Sequence, residues 1–210
     1  MTVGPKLLVT GFGPFPNAPA NPTATLVKAL ALEPATSFGA SALRAVVLPT
    51  DYRTSWPKLR RCCARFAPDI VLHFGLSRLA QAIHIETTAR RACAPDRPDA
   101  AGYAPPSGRA RRNGPEQLAS NLPVDNIITA LRERGFAAGQ SDDAGGYVCN
   151  ATLYRSLQAA PPGRLVGFIH VPPDGAGGYT AERLREVAGL ILRAATSAWG
   201  EGLETFRRSG

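Results

Sequence analysis

The segment SDDAGGYVCNATLYRSL at 141–157 sets a cysteine, Cys149, between a glycine-rich turn and the first turn of a helix. A helix N-terminus gathers unpaired N–H groups and favours negative charge. It therefore stabilises a thiolate, and it can also hold the oxyanion that forms in acyl transfer. A cysteine in that place can equally be a packing residue, and what separates the two readings is a base. His170 closes the run GFIHVP just before Pro172, at the carboxyl end of the strand that follows the cysteine helix. In a β-α-β unit the helix N-terminus and the end of the next strand share one edge of the sheet, which permits a Cys149–His170 pair. Glu86 ends the alternation of AIHIE and could orient an imidazole as the acid of a triad does. His84, two residues earlier on the same strand face, makes a competing pair with Glu86. His73, inside DIVLHF, reads as a hydrogen-bonded core histidine.

A second motif, GFGPFP at 11–16, follows an apolar run and invites a dinucleotide-fingerprint reading. Position 16 is proline where the third glycine would stand, and the next helix starts about six residues too late. A turn that displays Phe12 and Phe15 fits better, with the rings either packed inside or forming a pocket wall.

These residues need elements to position them. KLLVT at 6–10, ALRAVVLP at 42–49, DIVLHFG at 69–75, AIHIETTA at 82–89 and RLVGFIHVP at 164–172 read as strands, and a further short strand precedes the cysteine turn. Helices are expected from Asn21-Pro22 to about Leu32, over about 55–66 with Ser55 as cap, over about 125–134 and 150–159, and from Thr180 to about Trp199. Residues 92–118, rich in Pro, Gly, Ala and Arg, are long for a structureless connection and suggest a functional or mobile segment. Strands and helices alternate throughout without an internal repeat. The expectation is one three-layer α/β/α domain over residues 1–210 with a mixed, largely parallel sheet, and such sheets gather their sites at strand carboxyl ends.

Composition narrows the function classes. With 210 residues, 44% of them apolar and 19% charged, a sizeable core is feasible and global disorder is not expected. No apolar run reaches the length of a membrane span, and the N-terminus has no long apolar region of a secretory signal, so a cytoplasmic protein with no membrane partner is expected. The net charge of +8 comes from scattered arginines rather than a basic helix interleaved with aromatics, which argues against nucleic acid. If an anionic partner exists, the RARR run at 109–112 is its place. Four cysteines without a CxxC pair and three histidines support neither a disulfide framework nor a zinc site.

Together AGGYVCN and GFIHVP, in that order and at that spacing, resemble the nucleophile and histidine motifs of pyroglutamyl peptidase I, the pyrrolidone-carboxylate cysteine peptidases. LLVTGFGPFPNAPANP, PDIVLHFGL and LPVDNIITALRERGF resemble that family's N-terminal strand and loop, third strand, and helix before the cysteine. The resemblance covers most of the chain. It implies a thiol peptidase that removes an N-terminal pyroglutamyl residue from blocked peptides, without metal or organic cofactor. Cys149 would be the nucleophile, His170 the base and then acid, and Glu86 the third member. Phe12 and Phe15 would sandwich the lactam ring, with Asn21, Val148 and the backbone of Leu76 beside it. Homo-oligomers are compatible with the family. The run after Glu86 departs from the family pattern, with Arg91 where an Asn is usual. Arg97 is the counterpart of an arginine that helps hold the oxyanion, and Arg90 and Arg91 are rivals for it. A cysteine amidase for another N-blocked amino acid and a non-catalytic ligand-binding homologue are the other readings.

Overall fold

The computed structural model describes residues 4–15 and 18–209, with side chains through residue 202. Pro16 and Asn17 of the aromatic loop, and the Arg207 and Arg208 side chains, lie outside that description. The first strand, β1 (Lys6–Phe12), runs two residues beyond the expected KLLVT and carries Phe12 at its end. Helix α1 (Pro22–Leu30) starts where Asn21-Pro22 predicts: the Asn21 side chain accepts from Thr23 N–H at 3.1 Å and Pro22 opens the first turn. Gly11 lets the two elements close up, since a Cβ there would lie 2.3 Å from the Thr23 carbonyl oxygen.

Strand β2 (Ala42–Leu48) pairs in parallel with β1, and helix α2 (Ser55–Phe66) follows it. Ser55 is not its cap. The cap position is Thr54, and no side chain caps it; Asp51 instead holds the turn before the helix, accepting the N–H groups of Arg53 and Thr54 at 3.0 and 2.6 Å. Strand β3 (Ile70–Leu76) lies on the other side of β1. The expected strand 82–89 divides in two. Strand β4 (Ile83–Glu86) belongs to the main sheet, whereas β5 (Thr88–Arg90) pairs with β6 (Gln117–Ala119) in a separate ribbon. The division falls after Glu86, whose partners Phe168 and Ser141 are the last on either side of β4.

Helix α3 (Val124–Arg132), strand β7 (Ala138–Ser141), helix α4 (Val148–Gln158), strand β8 (Leu165–Val171) and helix α5 (Ala181–Ser209) complete the chain. The sheet order is β2-β1-β3-β8-β4-β7. The first four strands run parallel, and β4 and β7 run against them. Helices α1, α3 and α5 pack on one face and α2 and α4 on the other, giving the expected α/β sandwich with a mixed, mostly parallel sheet. No helix among the described residues is long and apolar enough to cross a membrane.

Strand alternation sorts the residues between the faces. Ile70, Leu72 and Phe74 of β3, Ile83 and Ile85 of β4, and Ile169 and Val171 of β8 enter the core under α1, α3 and α5. His73, Gly75, His84, Glu86, Phe168 and His170 therefore point to the α2/α4 side.

His73 is fully buried there, with Nδ1 2.7 Å from Thr10 Oγ1 and Nε2 3.1 Å from Ser156 Oγ. Burial holds its imidazole down at about 3. Between that value and the ordinary one near 6.5, the unfolded chain binds a proton that the native state refuses. Stability therefore falls as pH drops through the window, by about 1.4 kcal/mol per pH unit at most from this group. His73→Gln should be less stable at neutral pH yet show a flatter acid limb. Melting temperature against pH for the two proteins checks this, and parallel acid limbs would refute it.

The 92–118 segment is pinned rather than loose. Asp99, buried, accepts from the N–H groups of Tyr52, Ala101 and Tyr103 at 2.8, 2.9 and 2.9 Å. Cys93 N–H donates to Gly108 and Ala110 N–H to Arg91, folding the segment into a flap tied at both ends.

Candidate active site

Cys149 occupies the second position of α4 rather than the turn before it, because the helix begins at Val148. The helix's first N–H groups have no intrahelical acceptor. The turn before it needs glycines: Gly145 sits at φ +75°, and a Cβ on Gly146 would meet the Ala94 backbone at 3.1 Å. The thiol rests over Gly75, where a Cβ would fall 3.1 Å from Sγ and 2.5 Å from the Phe168 ring. Gly75 is in register with His170 on the adjacent parallel strand, so the thiol and the imidazole share one spot on the sheet.

The sequence argument placed this pair through a β-α-β unit, and the geometry corrects its first half. Strand β7 runs antiparallel to β8, with β4 between them. The pairing comes instead from α4 lying across β8 with its N-terminus at the level of the strand's C-terminal end.

His170 is 8% exposed and Glu86 1% exposed, and His170 Nδ1 lies 2.7 Å from Glu86 Oε1. With Nδ1 committed to the carboxylate, Nε2 is the nitrogen left to face Cys149, whose side chain interacts with the imidazole. Burial works against a charged imidazole. Interaction with the Cys149 side chain, the hydrogen bond to Glu86 and the charges of both outweigh it and push His170 up to about 10. The other carboxylate oxygen of Glu86 has no hydrogen-bond partner among the described residues. The buried carboxylate thus depends on a cationic His170, and a cationic His170 is the partner a thiolate requires. His84 sits directly across from His170 in the β4–β8 pairing, but Glu86 turns to His170 and not to its own strand neighbour.

These groups lie in a cleft of about 880 Å³. Phe12, Phe15, Asn21, Leu76 and Arg97 all line it. Phe12 is 1% exposed with its ring 6.0 Å from Phe168, and Phe15 stands at the wall, 6.1 Å from Tyr147. Asn21 is buried and ties the loop to the helix start, donating to the Gly13 carbonyl at 3.1 Å. Val148 does not line the cleft: its side chain is buried in the core beneath α4, since the first helical residue faces the sheet when the second faces the opening. Of the three candidate arginines, Arg97 alone lines the cleft, its guanidinium 4.6 Å from the Tyr147 ring centre. Arg91 is paired with Glu116, and Arg90 reaches the Asp142 carbonyl at 3.5 Å.

Sequence reasoning missed several residues. Tyr147 and Asp99 both line the cleft. Gly75 was legible as an isolated glycine in an apolar strand, a mark of close approach. Asn150 is fully buried in α4, and its amide clamps the chain after β5. Its Nδ2 donates to the carbonyls of Arg90 and Ala92 at 2.7 and 2.9 Å, and its Oδ1 accepts from Arg90 N–H at 2.8 Å. Asn150→Ala would leave three backbone groups without partners and should cost about 2–4 kcal/mol. Urea denaturation checks this, and an unchanged midpoint would refute the clamp.

The pyroglutamyl peptidase family model matches residues 5–176 of this chain. The pyrrolidone-carboxylate peptidase of Pyrococcus furiosus is 35% identical over 170 residues, covering 80% of each chain. That of Oceanobacillus iheyensis is 31% identical over 170 residues, covering 80% of this chain and 83% of its own. Among solved structures, the pyrrolidone carboxyl peptidase of Thermococcus litoralis superposes with a TM-score of 0.87 at 26% identity, over 94% of this chain and 96% of that one. The pyroglutamyl peptidase I of Bacillus amyloliquefaciens gives 0.82 at 26% identity, over 92% and 97%. Sequence and architecture agree along nearly the whole chain, and the protein belongs to the pyroglutamyl peptidase family.

Proposed function

We propose that Cys149, His170 and Glu86 act as the catalytic set of a cysteine exopeptidase that removes N-terminal pyroglutamate from peptides. The observation that carries this reading is the His170 imidazole, bonded to the buried Glu86 carboxylate and lining the cleft together with the half-buried Cys149 thiol, which rests over Gly75, the register partner of His170. Cys149 as thiolate attacks the pyroglutamyl carbonyl carbon, and a C–S bond forms as the carbonyl oxygen takes the negative charge. The first N–H groups of α4 are placed to receive that charge. The C–N bond then breaks, and the leaving amine takes its proton from His170. His170, now neutral, removes a proton from water, whose oxygen attacks the thioester. Pyroglutamate leaves, and the thiolate–imidazolium pair is restored.

Phe12, Phe15 and Asn21 form the wall that fits a flat, uncharged lactam, and Arg97 is the arginine assigned to the cleft. Val148 contributes backbone only. The same reading treats residues 1–210 as one domain and places the enzyme in the cytoplasm, with blocked peptides as substrates.

The test is a matched pair of fluorogenic amides, pyroglutamyl and prolyl. The prolyl group has the same ring size but carries a cationic amine that the cleft would have to desolvate beside His170 and Arg97. The pyroglutamyl amide should be preferred by at least about 100-fold in kcat/KM. Equal turnover of both would overturn the lactam assignment while leaving the thiol chemistry standing.

A further inference from the structure

A second cavity, of about 410 Å³, opens between the start of α2 and the flap, away from Cys149. Its walls hold Arg53, Arg109, Arg111, Arg112 and Arg155, and no carboxylate lines it among the described residues. The arginines of the RARR run, which the peptidase reading does not use, converge here. Among the described residues only Arg109 of these five has an ion-pair partner, Glu116 at 3.8 Å, and that carboxylate is already paired with Arg91. Arg155 is partly buried, and its guanidinium is spent on carbonyls, donating to Ala110 at 2.7 Å and to Tyr52 at 3.3 Å. Burial acts against its charge, and so does the Arg111 charge, although Cys93 acts the other way.

Such an assembly of guanidinium groups is self-repelling unless an anion joins it. Trp56 and Tyr103 line the same cavity, and the Arg53 guanidinium lies 4.0 Å from the Tyr103 ring centre. Guanidinium forks match phosphate oxygens bidentately, and aromatic faces accept a flat heterocycle. The volume suits a molecule of mononucleotide size, since small-ligand pockets begin at about 300 Å³.

We propose that this cavity binds a phosphate-bearing aromatic anion of mononucleotide size, with the phosphate on Arg111 and Arg112 and the ring beside Trp56 and Tyr103. The site is separate from the catalytic cleft and does not depend on the peptidase reading. Tyr52 forms part of the wall between the two: it lines the basic cavity, its hydroxyl donates to Gly146 at 3.4 Å, and its N–H donates to Asp99, which lines the cleft.

The experiment is calorimetric titration of the full chain with AMP, and with adenosine as the control lacking phosphate. AMP should bind saturably with one-to-one stoichiometry, at least tenfold more tightly than adenosine, and more weakly as salt rises. The double variant R111A/R112A alters two exposed side chains and should keep its melting temperature while losing at least tenfold in AMP affinity. R60A/R61A, on α2, should bind as the wild type does. The proposal is overturned by absence of saturable AMP binding, or by adenosine binding equally well. It is also overturned if R60A/R61A weakens AMP as much as R111A/R112A does, which marks mere surface charge. Loss of binding in R97A but not in R111A/R112A would overturn it too, because the anion would then sit in the catalytic cleft.

Discussion

Cys149→Ala should lower turnover of a pyroglutamyl amide by at least about 10⁴-fold, the scale on which catalytic sets lose activity when the nucleophile is removed. The fold should survive, because the change deletes one sulfur from a half-buried side chain that rests over Gly75. A melting temperature close to that of the wild type, with fluorogenic turnover gone, is the expected pair of results. Iodoacetamide labelling of the wild type gives an independent reading. Burial raises the thiols of Cys63 and Cys93, the latter to about 11, so both should react slowly near neutral pH. Cys149, beside a cationic imidazole, should be carboxamidomethylated before them, as peptide mass spectrometry can show. Full turnover in Cys149→Ala would remove the thiol from the mechanism altogether.

The parts of this site that could be read from sequence are those that depend on local pattern. A cysteine after GGY, a histidine closing an apolar strand and an acid ending an alternating one are local signals, and each lies at the end of an element that periodicity locates. The capping of α1 by Asn21 was legible for the same reason, since the cap and the proline are neighbours in the chain. What escaped was the direction of strands. Nothing local distinguishes a β4 that runs against β8 from one that runs with it, yet that antiparallel pairing sets Glu86 and His170 on one face, two positions apart along β8. The break after Glu86 was invisible because 82–89 alternates continuously. Only the loss of partners at Phe168 and Ser141 diverts the chain into the ribbon with β6.

The flap was legible as a functional or mobile segment, but not what fixes it: one buried carboxylate, Asp99, gathers three N–H groups, and Arg97 and Asp99 line the cleft. Asp99, one of two aspartates in CAPDRPDAAGYAP, carries no periodic signature, so its role depends on where Tyr52 lies in space. Val148 illustrates the limit of transfer by motif. It is adjacent to the nucleophile in sequence, but helical rotation of about 100° per residue sends its side chain into the core.

Glu86→Gln should separate positioning from charge. Glutamine keeps the volume and an acceptor for the Nδ1–H of His170, but it removes the negative charge that helps hold the imidazole up at about 10. In the wild type, that raised value means the stabilisation from the His170 proton is complete below about 6.5 and is lost as pH rises through about 10. Without the carboxylate the upper limit moves down. The alkaline limb of kcat/KM, which reports loss of the proton that His170 gives to the leaving amine, should shift to lower pH by at least about one unit. At neutral pH, kcat/KM should fall by about 10³-fold, toward the loss seen when the acid of a serine-protease triad is made neutral. The Glu86 carboxylate has one oxygen without a partner among the described residues, yet Gln takes one partner from a buried ion pair, so thermal stability at neutral pH should fall as well. A pH–rate profile that superposes on the wild type would show that Glu86 holds His170 only by packing. Abolition of the alkaline limb by His84→Gln in its place would move the acid–base role to His84.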